Sequence, residues 1–131
     1  MHVLLTEATF GDADPLVQPL RDAGCRVSRC HTQTGLCKAL APGSMCPLDE
    51  WAAPPLLAID VRGQGTELTA REFGVVCAVR AHVPVVLVSL DPVPPEVPSG
   101  LETRVSVTDV ESLLETCRSV ERGGGAPGRA G

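Results

Sequence analysis

Short apolar runs typical of β-strands alternate along this chain with amphipathic stretches typical of helices. The strand-like runs cover residues 3–5, 25–30, 56–59, 83–90 and 105–107. Helical stripes with recognisable start signals follow the first, third and fifth of these runs. Because such alternation is typical of parallel strands joined by right-handed helical crossovers, we expect an α/β fold.

Helix boundaries are marked by capping residues. Asp14 followed by Pro15 predicts a helix start, and Gly24 predicts its end. The capping box Thr69-Ala-Arg-Glu72 predicts a helix that runs to about Ala81. A second capping box, Thr108-Asp-Val-Glu111, predicts the last helix. Its apolar face would hold Val110, Leu113, Leu114, Cys117 and Val120.

Five strands in a chain of 131 residues fit a three-layer, doubly wound, five-stranded parallel sheet of order 2-1-3-4-5, the flavodoxin-like arrangement. Residues 91–103 contain four prolines, so we expect a Pro-rich loop in place of the fourth helix. Between the second and third strands we expect only a short helix at about 34–41. The domain should span 1–121, with a disordered Gly/Ala/Pro tail at 122–131.

Composition excludes several classes of function. The net charge is −5 and no basic stripe exists, which argues against nucleic acid or an anionic membrane as a partner. No apolar run approaches the ~20 residues of a membrane span, and no secretory leader is evident. We therefore expect a cytoplasmic protein, whose six cysteines are core thiols, metal ligands or redox groups.

Ligands of doubly wound sheets bind at the carboxyl ends of the strands, which directs attention to Glu7, Asp60 and Ser89. Across residues 2–121 the pattern of elements resembles a bacterial response-regulator receiver domain. The resemblance implies that Asp60 is the phosphoacceptor, that Ser89 is the phosphate-contacting hydroxyl, and that Glu7 belongs to the Mg²⁺ site.

Two further positions of the receiver pattern are altered in this sequence. The acidic pair that holds Mg²⁺ in that family becomes Thr6-Glu7, and no lysine stands near 106–108, since Lys38 is the only one in the chain. The resemblance therefore favours a degenerate, pseudo-receiver site, in which Asp60 would only cap the loop at Gly63-Gln-Gly65. Slow phosphorylation of Asp60 is a second interpretation.

Nucleotide cofactors have weaker support in the sequence. The segment Thr6–Thr9 loosely fits a hydroxyl-rich flavin phosphate loop, but Trp51 is the only large aromatic that could stack on a flavin ring. Neither the GxGxxG nor the GxxxxGK[ST] motif is present, so dinucleotide and P-loop sites are not expected.

The cysteines form the second candidate site. Cys30, His31, Cys37 and Cys46 fall within 17 residues, and the following helix could bring Cys77 near them. Such a set could bind Zn²⁺ or an iron–sulfur cluster, or hold a redox pair such as Cys37–Cys46. The alternative is that the thiols pack as small hydrophobes, which suits Cys25 and Cys117, and also Cys77 beside Phe73 and Val76 on one helix face.

Together these features predict a non-enzymatic regulatory or protein-interaction domain of degenerate receiver type, acting in signal transduction. Its partner would be another protein or a second copy of the chain. The alternative is a cysteine-based metal, iron–sulfur or redox-sensing protein. No cofactor is firmly indicated, although zinc or an iron–sulfur cluster would suit the cysteines.

Overall fold

The computed structural model describes residues 1–30, 37, 38, 43 and 45–122, with side chains as far as residue 120. All five strands are parallel and hydrogen-bonded in the order β2-β1-β3-β4-β5. Their bounds are β1 (His2–Glu7), β2 (Arg26–Arg29), β3 (Leu57–Val61), β4 (Val85–Val88) and β5 (Val105–Val107). The predicted doubly wound, flavodoxin-like sheet is confirmed.

Three helices pack on the sheet, α1 (Asp14–Asp22), α2 (Phe73–Arg80) and α3 (Val110–Arg122). Leu16 and Leu20 of α1 and Leu113 of α3 share one buried cluster with Val3 and Leu5 of β1. On the opposite face Val75 and Ala78 of α2 pack on Leu4, Ala58 and Leu87. This two-sided burial explains why the central strands are continuously apolar, since both faces of a parallel sheet are covered.

Helix starts agree with the sequence signals at one position and differ at two. The Thr69 capping box is confirmed, and it opens a 3-10 turn at Ala70–Glu72 that leads into α2. The predicted Thr108 capping box is wrong, because α3 begins at Val110 and the Asp109 carboxylate accepts the Ser112 N–H at 2.7 Å. Asp14 is the first residue of α1 rather than its cap, a position that Ala13 holds.

Both α1 and α2 end in the same hydrogen-bonded motif. In α1 the N–H groups of Gly24 and Cys25 reach back to Arg21 and Leu20, and Gly24 has a φ of 96°. At the end of α2, His82 takes the corresponding left-handed position with a φ of 60°. This turn aligns the chain for β4.

The segment between β4 and β5 holds no helix, as its prolines predicted. Residues 89–104 are turns and extended chain, and their backbone bonds reach residues 63 and 66 of the loop after β3. The predicted short helix at 34–41 and the tail at 122–131 fall almost entirely outside the described residues. Among those described, no helix is long and apolar enough to cross a membrane.

Candidate functional site

The sheet register brings the three predicted rim residues to its carboxyl end but not to one point. Asp60 pairs with Thr6, whereas Glu7 pairs with Val61 one residue further along. Since side chains alternate across a sheet, Asp60 faces the α2 layer and Glu7 projects from the opposite face. Ser89 follows the last residue of β4 and lies outside the strand.

Asp60 is sealed inside the protein. Its exposed fraction is 0%, and its Oδ1 accepts a 2.7 Å hydrogen bond from the Thr6 hydroxyl. Burial raises the pKa of Asp60 to about 9, and the nearby Glu72 carboxylate adds to this effect. Asp60 is therefore protonated at neutral pH. It does not cap the Gly63-Gln-Gly65 loop, so that interpretation is wrong.

A proton on Asp60 completes the hydrogen bonding of two buried oxygens. Among the described residues, Asp60 Oδ2 and Glu72 Oε2 accept no hydrogen bond, and the nearest cation to Glu72 Oε2 is the Arg62 ion-pair partner at 3.3 Å. Protonated Asp60 donates to Glu72, which is also 0% exposed. Glu72 Oε1 is already held by the Thr69 backbone N–H at 2.8 Å. The pair therefore carries one negative charge rather than two.

Arg62 balances that remaining charge. Its Nε lies 3.3 Å from Glu72 Oε2, and the guanidinium is 97% buried. The same group donates to the backbone oxygens of Glu67 at 2.9 Å and Glu96 at 3.4 Å. We call Thr6, Asp60, Arg62 and Glu72 the buried carboxyl network. It ties β1, β3, the start of α2 and the Pro-rich segment together.

Glu7 forms a separate charged group at the tip of β1. Its Oε1 accepts the backbone N–H groups of Gly11 and Ala13, and its Oε2 lies 2.8 Å from Arg29 and 3.3 Å from Arg71. Burial alone would raise the pKa of Glu7, but these donors and the Arg29 charge outweigh it, so the pKa is lowered. Glu7 is an ionised, fully partnered carboxylate that fixes the loop before α1.

The magnesium site implied by the receiver resemblance does not fit these residues. Mg²⁺ binds ionised oxygens that still have free coordination positions. Asp60 is protonated and covered, while both oxygens of Glu7 are engaged by protein donors. No group of described residues has the arrangement of a metal site.

Ser89 lies at the surface beside two open depressions. Its hydroxyl accepts the Asp91 backbone N–H at 3.0 Å, which closes a local turn. One depression, of about 250 Å³, runs between the Pro-rich segment and the end of β5. We call it the groove. It is lined by Ser89, Asp91, Pro92, Val93, Pro94, Pro95, Val107, Thr108 and Asp109.

Four of the predicted cysteines lie in one region on the α2 side of the sheet. Cys30, at the end of β2, lies against α2 so closely that a Cβ on Gly74 would come within 2.7 Å of its sulfur. Burial raises the pKa of Cys30 to about 12, and Cys37, Cys46 and Cys77 all add to this shift. These residues, the four-cysteine group, are therefore within electrostatic range of one another.

The members of the group differ in exposure. Cys30 is buried, Cys37 and Cys46 are half-buried, and Cys77 is exposed. The expectation that Cys77 is a core thiol is wrong, because α2 buries Gly74, Val75 and Ala78, and Phe73 is exposed as well. None of the six cysteines forms a disulfide. The predicted ligand His31 lies outside the described residues.

Sequence reasoning missed two functional features. Glu72 was recognised as a capping residue, but nothing in the local pattern showed that its carboxyl would meet Asp60. Arg29 and Arg71 were not singled out, because their common partner Glu7 lies far from both along the chain. In each case the signal exists only in three dimensions.

No known protein family, curated protein or solved structure matches this chain. Its class therefore follows from its own coordinates. The chain is a doubly wound α/β domain with a flavodoxin-like sheet, a buried carboxyl network at the end of β3, and a group of four thiols beside α2.

Proposed function

We propose that this chain is a non-enzymatic regulatory domain of pseudo-receiver type, which acts by binding another protein rather than by accepting a phosphoryl group. The observation that carries this proposal is the complete burial of Asp60. A phosphoryl donor must reach a carboxylate oxygen in line, and Asp60 offers a protonated group enclosed by Thr6 and Glu72.

The charges around Asp60 also oppose phosphorylation. An aspartyl phosphate needs cations to offset its negative charge. Glu72 places a carboxylate next to Asp60, and Arg62 is already committed to Glu72 and to two backbone oxygens. No lysine follows β5, where the receiver resemblance would place one.

The proposal that Asp60 accepts no phosphoryl group can be tested with a small phosphodonor. We expect acetyl phosphate with Mg²⁺ to leave the intact mass of the purified protein unchanged, and beryllofluoride to leave the amide spectrum around Asp60 unchanged. The variant D60N is the matched control for any modification elsewhere. A phosphoryl adduct that forms on the wild type and is absent from D60N would overturn the proposal.

The binding arm is supported by the groove. Val93 and Val107 line it with exposed fractions of 56% and 42%, and Leu90 beside it is also exposed. The prolines hold this apolar segment in an extended conformation, so that little conformational entropy is lost when a partner binds. Such a surface suits an apolar protein partner, which includes a second copy of this chain.

Replacing the exposed valines of the groove with aspartate tests whether this surface binds a partner. Sedimentation velocity of the pure wild type, V93D and V107D first shows whether the chain associates with itself through the groove. Photo-crosslinkers at 93 and 107 in the native cell then report on other partners. The control position is Val76, an exposed valine of α2 that does not line the groove.

We expect one discrete crosslinked protein, or a dimer, that depends on positions 93 and 107 and is lost in the charged variants. Equal crosslinking from position 76, or none from the groove in a monomeric protein, contradicts the proposal.

We also propose a cytoplasmic location, because a reducing compartment suits six cysteines without a disulfide.

A further inference from the structure

The four-cysteine group takes part in neither the buried carboxyl network nor the groove. We propose that Cys37 and Cys46 form a redox-active dithiol, which closes to a disulfide when the protein meets a peroxide. This inference does not rest on the proposed regulatory function, so either can fail alone.

Backbone contacts hold the two cysteines near the same part of the core. The Lys38 N–H donates to the Cys30 carbonyl at 2.8 Å, which fixes Cys37 beside the end of β2. Cys46 precedes the 3-10 turn Pro47–Asp49, and Leu48 of that turn packs on the buried cluster that contains Cys30. Both cysteines are therefore anchored at the side of the core that contains Cys30.

Exposure favours Cys37 and Cys46 over Cys30. A buried thiol with a pKa near 12 stays protonated, so Cys30 is a poor nucleophile and is shielded from oxidants. Cys37 and Cys46 are half-buried, so that a small peroxide can reach them.

The secondary structure around each thiol favours Cys46 over Cys77 as the partner of Cys37. A disulfide needs a narrow range of Cα separations and side-chain directions. Cys37 lies in an isolated β-bridge and Cys46 lies in the irregular segment before the 3-10 turn, whereas Cys77 is in the middle of α2. Burial raises the pKa of Cys46, as it does that of Cys30, and among the thiols Cys37 adds most to the rise at Cys46.

The chemistry balances with hydrogen peroxide as the oxidant. The thiolate of one cysteine attacks a peroxide oxygen, the O–O bond breaks, and a sulfenic acid forms with release of one water. The second thiol then attacks the sulfenic sulfur, the S–S bond forms, and a second water leaves. Two thiols lose two electrons and two protons, and one peroxide becomes two waters.

Peroxide titration of the whole chain tests the proposal. After treatment, we expect a mass loss of about 2 Da from the loss of two hydrogens. Differential alkylation and peptide mapping should show one bridge between Cys37 and Cys46, which dithiothreitol reverses. In C37S and C46S we expect this bridge to be lost, whereas C77S should still form it to the wild-type extent.

Cys25 and Cys117 provide an internal control. These two thiols interact with each other but are buried in the core, so they should remain reduced in the folded protein. A bridge between Cys25 and Cys117, or between Cys37 and Cys77, would overturn the proposal. So would a zinc ion or iron–sulfur cluster bound by the four-cysteine group in anaerobically purified protein, or a wild type without any peroxide-dependent bridge.

Discussion

At Gly74 the helix α2 comes close to the sheet. A Cβ at this position would lie 2.7 Å from the Cys30 sulfur and 2.8 Å from the Thr6 Cγ2. Thr6 in turn holds Asp60, so the close approach of the helix and the position of the buried carboxyl network are linked. One hydrogen atom in place of a side chain thus decides how tightly the α2 layer covers the sheet.

Replacing Gly74 with alanine should destabilise the protein. Alanine favours helices over glycine by about 1 kcal/mol, but overpacking of a core costs about 1–3 kcal/mol. We expect overpacking to prevail, and urea unfolding measures the difference. The control G63A should be nearly neutral, because a Cβ at Gly63 meets no atom within 4 Å.

A second variant separates overpacking from other effects at Gly74. The nearest atom belongs to a side chain, so G74A/C30A should recover part of the stability that G74A loses. Equal stability of G74A and wild type would contradict the close packing of α2 on β1.

At the scale of elements, each helix is set by its termini and by one apolar face. In α3 the buried residues Leu113 and Cys117 pack with Val110 and Leu114 on the layer shared with α1, as the apolar stripe predicted. The start of α3 differs from the prediction by one residue, because Asp109 supplies the cap while the Thr108 N–H pairs with the Leu87 carbonyl of β4. The Thr108 backbone thus continues the pairing of β5 with β4 by one residue.

Loss of the Asp109 cap should weaken α3 selectively. The variant D109A leaves the Ser112 N–H without its side-chain acceptor, and we therefore expect a lower free energy of unfolding than that of the wild type. Circular dichroism with thermal unfolding measures it. If T108A proves as destabilising as D109A, the capping box centred on Thr108 would be the correct description after all.

For the whole molecule, the buried carboxyl network joins elements that are distant in sequence. It connects β1 and β3 to the start of α2 and, through Arg62, to the loop after β3 and the Pro-rich segment. Its proton is taken up on folding, because Asp60 has a pKa of about 9 in the folded protein and an ordinary pKa of 3.8 in the unfolded chain.

Stability should therefore fall as pH rises between about 4 and 9. In that window the folded state binds one more proton at Asp60 than the unfolded state, so raising the pH favours unfolding. The variant D60N has a neutral amide that can still donate to Glu72, and because this amide does not titrate, the contribution of residue 60 to the pH dependence of stability is removed.

Urea unfolding of both proteins across this pH range measures the effect. We expect the stability of the wild type relative to D60N to decline on the order of a few kcal/mol. Parallel pH profiles would show that Asp60 is ionised in the folded protein.

Much of the architecture was predictable from local patterns. Continuous apolar runs at 56–59 and 83–90 marked buried parallel strands, the prolines at 92–98 excluded a helix, and Thr69 with Glu72 marked the start of α2. The proximity of the cysteine segment to Cys77 was expected from topology alone. These features depend on residues near one another in sequence or on the general rules of parallel sheets.

The sequence by itself determined the number, type and order of the elements, because hydrophobic periodicity and capping chemistry act over a few residues. Only the tertiary structure decided that Asp60 is protonated and sealed, that Arg62 and Glu72 are its companions, and that Cys77 faces outward. Those outcomes depend on burial and on partners that the fold brings together. The charge and the exposure of a side chain are set by the residues around it in space rather than by its neighbours in the chain.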